Sequence, residues 1–357
     1  MLVPLPSMPV HSPLTLGSVL LRHPFVQAAL SGYSDRPMRT LARRHGAAYT
    51  LAEVMLERFV TEVKGTGRTE HHLHVGPEDH PVGGQLMGAD PERFGPAARR
   101  LVQCGFDVID INFGCPVRTA IGGCRGGYHL SQPEVALEIV DRVREAVPVE
   151  IPVTLKMRRG IDDSAESRDR FFQILDGAFG RGVAAITVHG RTVEQKYRGP
   201  SRWPFLKEVK QHAGKRTILG SGDLFSASAC VQMLQQTGVD GVTIARGAIG
   251  NPWIFSQARA LWEGKPLPAP PSLFEQREVL QEHQSLAEES YGASRWFGSF
   301  RKFTFKYAKL HPRANEIRNA LGGMKTLADW REIQECFYAE DLPGQFPDVC
   351  DVETSEE

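Results

Sequence analysis

Eight short apolar segments, each followed by a stretch with helical character, constrain the fold of this chain more than any other feature. They lie near 24–30 and 47–54, and then at 81–87, 107–113, 151–157, 183–190, 216–222 and 240–247. Strands that alternate with helices form right-handed βαβ units around a parallel sheet. Eight such units predict a closed (β/α)8 TIM barrel rather than an open doubly wound sheet.

Polar side chains recur where seven of these segments end. They are Glu53, Gln85, Asn112, Lys156 with Arg158, His189, Ser221 with Asp223, and Arg246. The C-terminal ends of barrel strands lie on one face, where the active sites of this fold are built. One strand that ends in a polar residue would be ordinary, but seven of eight favour a shared site.

The character of the sequence changes after the eighth unit. We predict a barrel over residues 1–262, in which residues 1–20 form an N-terminal extension. The proline-rich segment 263–272 predicts a linker, and the segments after it predict a small all-α domain over 273–338. The acidic segment 339–357 predicts a disordered tail.

A formal net charge of zero hides two oppositely charged segments near the C-terminus. Residues 295–318 contain seven Lys or Arg and one Glu, whereas residues 332–357 contain nine Asp or Glu and no Lys or Arg. The basic segment is interleaved with aromatic residues, which suits an RNA backbone with base stacking. It suits equally an amphipathic helix with buried aromatics and solvated charges.

The sequence predicts a cytoplasmic protein without a membrane segment or an obligate protein partner. The N-terminus has no basic region ahead of a long apolar core, and no run approaches the roughly 18 apolar residues of a membrane span. The six cysteines form no CxxC pair, which indicates reduced thiols. We also predict no metal site, because no cluster has ligand spacing.

Two glycine-containing loops, 219–225 and 244–255, follow the last two strand segments. Barrels of this class often bind a phosphate at these loops, where backbone N–H groups and a helix start attract anions. Arg246 would add a charge-assisted contact. The phosphate could belong to a substrate or to a flavin mononucleotide.

Three further side chains at strand ends have chemical potential. Lys156 would point into the barrel, where it could hold the electron-rich edge of a flavin or form a Schiff base. His189 could donate to the same ring edge or to a phosphate. Cys115 lies on a loop between a glycine and a proline, and could act as a nucleophile or as a general acid.

Along nearly its whole length the chain resembles the flavin-dependent tRNA-dihydrouridine synthases. The matching motifs, in order, are "GGQLMG", "DINFGCP", "VTLKMRRG", "ITVHGRT", "YRGPSRWPFLKEVK", "GSGDLF", "IARGAIGNPWIF" and "RKFTFKYAK". The combination of "NFGCP" with "KMR" and "HGRT" is highly specific to that family.

This resemblance implies that FMN occupies the barrel and that NADPH reduces it. It implies reduction of a uridine in the D-loop region of tRNA, with hydride delivered to C6 and a proton delivered to C5 by Cys115. The positions that match FMN-binding residues of the family are Gln85, Lys156, His189, Ser221, Gly222, Asp223, Arg246 and Gly247. Asn112 and Arg158 match positions near the flavin and the base, and Arg301, Lys302 and Lys306 lie in the basic RNA-binding motif.

Some positions depart from the family pattern and suggest a divergent subgroup. The usual "APMAGVTD" reads "AALSGYSD", Ser221 stands for a common asparagine, and Phe303 stands for a common histidine. The alternatives are an FMN-dependent reductase of ribosomal RNA or of a small pyrimidine or enone, and an RNA-binding barrel without catalysis. The basic segment disfavours a small substrate, and the set of Cys115, Lys156 and His189 disfavours lost catalysis.

Overall fold

A computed structural model describes residues 13–63 and 69–347 of the chain. Eight parallel strands form a closed barrel, and each of the eight apolar segments supplies one of them. All the strands of these ranges, in chain order, are β1 (Leu14–Leu16), β2 (Val19–Leu21), β3 (Phe25–Gln27), β4 (Tyr49–Leu51), β5 (Met55–Leu56), β6 (Val82–Met87), β7 (Val108–Phe113), β8 (Val153–Arg158), β9 (Ala185–His189), β10 (Thr217–Ser221) and β11 (Gly241–Ile244).

The parallel pairings close the ring and confirm the predicted TIM barrel. Strand β3 pairs with both β4 and β11, and β4 pairs with β6. The remaining strands from β6 to β11 pair in sequence order. The short β5 is a third partner of β6, paired at the C-terminal end of that strand.

Side chains alternate between the inside and the outside of the barrel, as β7 illustrates. Ile109, Ile111 and Phe113 are fully buried in the apolar layer that the surrounding helices share. Asp110 and Asn112 alternate with these residues along the strand, and both form hydrogen bonds with Gln85 inside the barrel. The period of two along a strand therefore separates packing residues from residues that reach the interior.

Helices cover the outside of the barrel. The first ten are α1 (Arg36–Arg44), α2 (Glu57–Glu62), α3 (Glu70–Leu73), α4 (Pro91–Gln103), α5 (Arg118–Ile121), α6 (Pro133–Ala146), α7 (Ala165–Gly180), α8 (Trp203–Ala213), α9 (Ala227–Thr237) and α10 (Trp253–Trp262). Local signals start several of them. At the start of α4, the Asp90 carboxylate accepts a hydrogen bond from the backbone N–H of Glu92, and Pro91 is the first helical residue. A capping carboxylate and a proline at this position both favour the first turn of a helix.

The antiparallel hairpin β1–β2 packs against the N-terminal end of the barrel. Leu14, Leu16 and Leu21 are at most 4% exposed and share an apolar cluster with barrel residues such as Val108 and Leu219. The hairpin lies within the predicted N-terminal extension and just beyond it. Residues 1–12 of that extension lie outside the described residues.

Four helices follow the barrel, which confirms the predicted C-terminal helical part. They are α11 (Leu273–Tyr291), α12 (Trp296–Tyr307), α13 (Ala314–Gly323) and α14 (Leu327–Phe337). Capping boxes start α11 at Ser272 and α14 at Thr326. In the predicted tail, the backbones of Leu342 and Gln345 hydrogen bond to Leu273 and Leu310, whereas 348–357 lie outside the described residues.

The C-terminal helices pack directly on the mouth of the barrel, the end at which the parallel strands finish. Gly250, at a φ of +64°, lies so close to the backbone of Lys306 that a Cβ atom would not fit. The Lys309 ammonium donates to the carbonyl of Ile249 at 2.8 Å, and the Tyr291 hydroxyl donates to Asp35 at 2.7 Å. In the ranges that the structure describes, no helix is long and apolar enough to cross a membrane.

Candidate active site

A cavity of about 510 Å³ occupies the mouth of the barrel. Its wall contains eight of the residues that the sequence singled out, contributed by the five strands β6 to β10 and by the loops after β7 and β11. They are Gln85, Asn112, Cys115, Lys156, Arg158, His189, Ser221 and Arg246. Six of the seven strand ends that the sequence predicted to converge therefore meet in one cavity, whereas Glu53 lies outside its lining and accepts from the Gly32 backbone N–H at 2.6 Å.

Cys115 lies on the loop that leaves β7, and it is partly exposed to the cavity. The loop folds back on itself, because Gly127 donates its backbone N–H to the Cys115 carbonyl at 3.0 Å. A Cβ atom on Gly126, whose φ is +60°, would lie 2.8 Å from the Cys115 Cβ. Glycine at position 126 thus allows the close approach that fixes the thiol-bearing turn.

A chain of hydrogen bonds connects the Cys115 turn to the barrel interior. The Asn112 Oδ1 accepts from the backbone N–H groups of Gly114 and Cys115, at 2.9 and 3.1 Å. The Asn112 amide donates to Gln85 at 2.7 Å, and Gln85 donates to Asp110 at 2.6 Å. Three side chains on neighbouring strands therefore position the backbone that carries the thiol.

Asp110 is the buried end of this chain, with 2% of its surface exposed. Burial raises the pKa of its carboxyl, and hydrogen bonds from Thr154 and Gln85 oppose that effect. The Thr154 hydroxyl donates to it at 2.6 Å. Asp110 and Thr154 were not among the predicted site residues, although an acidic residue inside the apolar run "VIDI" is a visible signal in the sequence.

Lys156 lines the cavity from β8. Removal from water, with the nearby charge of Arg158, lowers the pKa of its ammonium from 10.5 to about 8, while Asp110 and Cys115 act in the opposite direction. Such an ammonium lies close to its deprotonation point, and a ligand with negative charge would favour its charged form. This donor suits the electron-rich edge of a flavin ring.

His189 stands on the neighbouring strand β9, where the surroundings keep its ring neutral. Burial and then the charges of Arg158, Lys156 and two further arginines hold its pKa well below the usual range. The ring Nδ1 accepts from the backbone N–H of Arg191 at 3.2 Å. That contact assigns the proton to Nε2, so the ring offers a neutral donor at the cavity wall.

Arg158 is 3% exposed and holds two loops together. Its guanidinium donates to the carbonyls of Gly114, Thr192 and Lys196 at 2.7 to 2.9 Å. Burial lowers its pKa to about 10, which leaves it charged. Besides lining the cavity, this predicted substrate residue braces the Cys115 loop against the loop after β9.

Arg246 adds positive charge to the cavity lining from the loop after β11. Its guanidinium carbon lies 4.9 Å from the ring centre of Tyr197 and 5.0 Å from that of Phe225. Three other predicted cofactor residues lie outside the lining, namely Gly222, Asp223 and Gly247. Asp223 instead forms an ion pair with the buried Arg191 at 2.7 Å, so its carboxylate connects the loop after β10 to the loop after β9.

The three basic residues predicted to contact RNA separate into two groups. The ammonium groups of Lys302 and Lys306 lie 5.8 and 5.9 Å from the ring centre of Tyr33, which lines the cavity. Arg301 points away from this group and donates to the carbonyl of Gly322 at 3.0 Å, which ties α12 to the end of α13. Two of the three cations thus stand beside the mouth.

The donor set of the cavity fits a flavin. An ammonium, a neutral imidazole, two amides and three guanidinium groups line a volume of about 510 Å³ that is large enough for an aromatic ring system with a charged tail. Among the residues that the structure describes, no group of three or more His, Cys, Asp or Glu could hold a metal ion.

Most of the chain matches one family of known proteins. The family described as "Dihydrouridine synthase (Dus)" matches residues 26–340. A "Probable tRNA-dihydrouridine synthase" from Rickettsia prowazekii is 32% identical over 312 residues, 87% of this chain and 93% of the relative. The "tRNA-dihydrouridine synthase B" of Xanthomonas axonopodis pv. citri is 33% identical over 304 residues, 84% of this chain and 88% of the relative.

Solved structures of low sequence identity share the fold. Histamine dehydrogenase from Rhizobium matches with a TM-score of 0.56 at 14% identity, over 78% of this chain and 51% of that chain. Morphinone reductase matches with a TM-score of 0.52 at 16% identity, over 73% of this chain and 91% of that chain. The barrel architecture thus recurs in oxidoreductases with little sequence similarity to this chain.

Proposed function

Because this chain belongs to the dihydrouridine synthase family, whose members are flavin-dependent oxidoreductases, we propose that it reduces specific uridines of tRNA to dihydrouridine. FMN is the proposed flavin and NADPH the proposed electron donor. The reaction saturates the C5–C6 double bond of the base, with a hydride added at C6 and a proton added at C5. Each turnover converts one uridine, one NADPH and one proton into one dihydrouridine and one NADP⁺.

One observation carries the proposal: a cysteine thiol, a lysine and a neutral histidine line one cavity at the mouth of the barrel. When FMN is bound there, its reduced ring supplies the hydride. The Cys115 thiol supplies the proton to C5, the carbon next to the one that receives the hydride. The chain Asn112–Gln85–Asp110 holds the Cys115 turn in place while the thiol loses that proton.

Lys156, His189 and Arg246 are the residues that would hold the cofactor. The Lys156 ammonium would donate to the ring edge on which negative charge collects, and its lowered pKa indicates that it gains from such a partner. The His189 Nε2–H would donate without adding a charge. Arg246 would bind the phosphate, as barrels commonly do near their seventh and eighth strands.

The helical part supports RNA rather than a small molecule as substrate. Lys302 and Lys306 stand beside the cavity, where they can bind phosphates on either side of a base turned out of its stack. A substrate in the D-loop region of tRNA and action in the cytoplasm belong to the same proposal. So does the division into a barrel to residue 262 and an RNA-binding domain over 273–338.

The proposal is tested by mass spectrometry of tRNA and ribosomal RNA from cells that lack the gene. Loss of dihydrouridine at one tRNA position, restored by the wild-type gene, is the expected result, and cleavage mapping assigns the position. Loss confined to ribosomal RNA would keep the chemistry and replace the substrate. No loss in either RNA, together with purified protein that lacks flavin absorbance, would overturn the proposal.

A further inference from the structure

The aromatic residues of α12 do not reach the cavity, although the sequence allowed them to stack on RNA bases. Trp296, Phe300, Phe303 and Tyr307 are at most 9% exposed. They belong to the apolar core that continues from the barrel into the C-terminal helices. Phe297 and Phe305 of the same helix keep part of their surface exposed, but they pack against this core and do not line the cavity. An aromatic contact within the cavity, beside the charges of this helix, therefore has to come from another element.

Tyr33 is the aromatic residue that meets this requirement. It belongs to the loop after β3, lines the same cavity as Cys115 and keeps part of its surface exposed. Both ammonium groups of Lys302 and Lys306 lie within 5.9 Å of its ring centre. It thus connects the catalytic cavity to the basic face of α12.

A ring contact and an ordered loop both restrict the position of the Tyr33 ring. Phe303 contacts it edge to face, with the ring centres 5.4 Å apart and the planes at 87°. The loop beneath it is closed by the buried Ser34, whose hydroxyl donates to the Ala28 carbonyl and accepts from the Leu30 backbone N–H. A ring that is already ordered loses little conformational entropy when a base stacks on it.

We propose that Tyr33 stacks on a nucleobase adjacent to the target uridine, while Lys302 and Lys306 bind the phosphates of that neighbour. This inference rests on the proposed reduction of an RNA uridine. A uridine that enters the cavity leaves its neighbours unstacked at the rim, and an aromatic ring there replaces part of the lost stacking. Tyr33 is therefore a positioning residue for the RNA, whereas Cys115 and Lys156 serve the reacting base.

The test compares Tyr33→Ala, Tyr33→Phe and Leu20→Ala in the FMN-loaded enzyme, with tRNA that lacks dihydrouridine as substrate. We expect Tyr33→Ala to raise the KM for tRNA about ten-fold, the typical effect of removing one base-stacking aromatic. Tyr33→Phe should keep the wild-type KM, because stacking needs the ring and not the hydroxyl. Leu20 is exposed at the opposite end of the barrel, so Leu20→Ala should change nothing.

A second substrate separates stacking from general damage to the site. The same tRNA is prepared with an abasic residue on the 5′ or the 3′ side of the target uridine. If Tyr33 stacks on that neighbour, the abasic tRNA raises the wild-type KM, and Tyr33→Ala adds no further increase with it. The side on which this non-additivity appears identifies the base that is bound.

The outcomes distinguish this inference from the proposed function. Wild-type enzyme that forms no dihydrouridine in any RNA would overturn the function itself. Active wild-type enzyme with an unchanged KM for Tyr33→Ala would overturn the stacking role alone, as would equal, additive losses with both abasic substrates. Flavin content and the rate of flavin reduction by NADPH should stay at wild-type values in Tyr33→Ala, because the proposed contact is with RNA.

Discussion

The two ends of the barrel are built from the same strands and differ in almost every property. At the N-terminal end, Leu14, Leu16 and Leu21 of the hairpin pack against Val108 of β7 in an apolar cluster. Four residues later on the same strand, Asn112 lines a polar cavity. One end therefore contributes stability and the other contributes chemistry, which is the division expected of this fold.

The difference has an energetic basis. The side chains of the hairpin cluster are apolar and buried, so their removal from water stabilises the folded state. At the mouth, a carboxyl, an ammonium and an imidazole share a confined space, and burial opposes their charged forms in Asp110, Lys156 and His189. The mouth is thus arranged for a ligand at a cost in stability.

The largest effect should come from removing the thiol at the mouth. Cys115→Ala is expected to reduce dihydrouridine formation by about 10²–10⁴-fold, the range for loss of a general acid. FMN content and flavin reduction by NADPH should persist, because the thiol is not needed to hold the cofactor. Single-turnover assays with tRNA measure the two steps separately.

Cys124→Ala is the matched control for that prediction, since Cys124 is exposed on the same loop and does not line the cavity. It should keep wild-type activity. Dihydrouridine formation at the wild-type rate by Cys115→Ala would show that another group delivers the proton.

The opposite result is expected at the hairpin end. Leu16 is 1% exposed, so Leu16→Ala should lower the free energy of unfolding by about 2–5 kcal/mol. Below its melting temperature the variant should keep the wild-type kcat, because the hairpin is remote from the mouth. Denaturant unfolding and steady-state kinetics provide both values, and Leu20→Ala, on the 63% exposed neighbour, should change neither.

The smallest effect concerns pH and the charge of Lys156. Between pH 8 and 10.5 the unfolded chain carries more protons on this lysine than the folded chain does, so stability rises with pH in that window. In flavin-free protein, Lys156→Met should exceed wild type in unfolding free energy at pH 7 by ~1–3 kcal/mol, and the gap should narrow by pH 10. A difference in unfolding free energy that does not change with pH would contradict a lowered pKa of Lys156 in the folded protein.

Much of this molecule could be predicted from its sequence because period and spacing are local properties. Eight apolar segments with helices between them specify the barrel, and polar residues at the strand ends specify where the site forms. The cavity contains Cys115, Lys156 and His189 together, as that reasoning predicted. The motifs around these three residues also sufficed to indicate the family.

Contacts between distant segments were decided only by the tertiary structure. Asp223 and Arg246 each stand two residues after the end of a strand, yet Arg246 lines the cavity and Arg191 holds the Asp223 carboxylate in an ion pair. Phe303 and Tyr33 are 270 positions apart, and only the packing of α12 on the mouth buries one ring and leaves the other beside two lysines. A local pattern shows which residues are polar or aromatic, whereas burial depends on which surfaces meet.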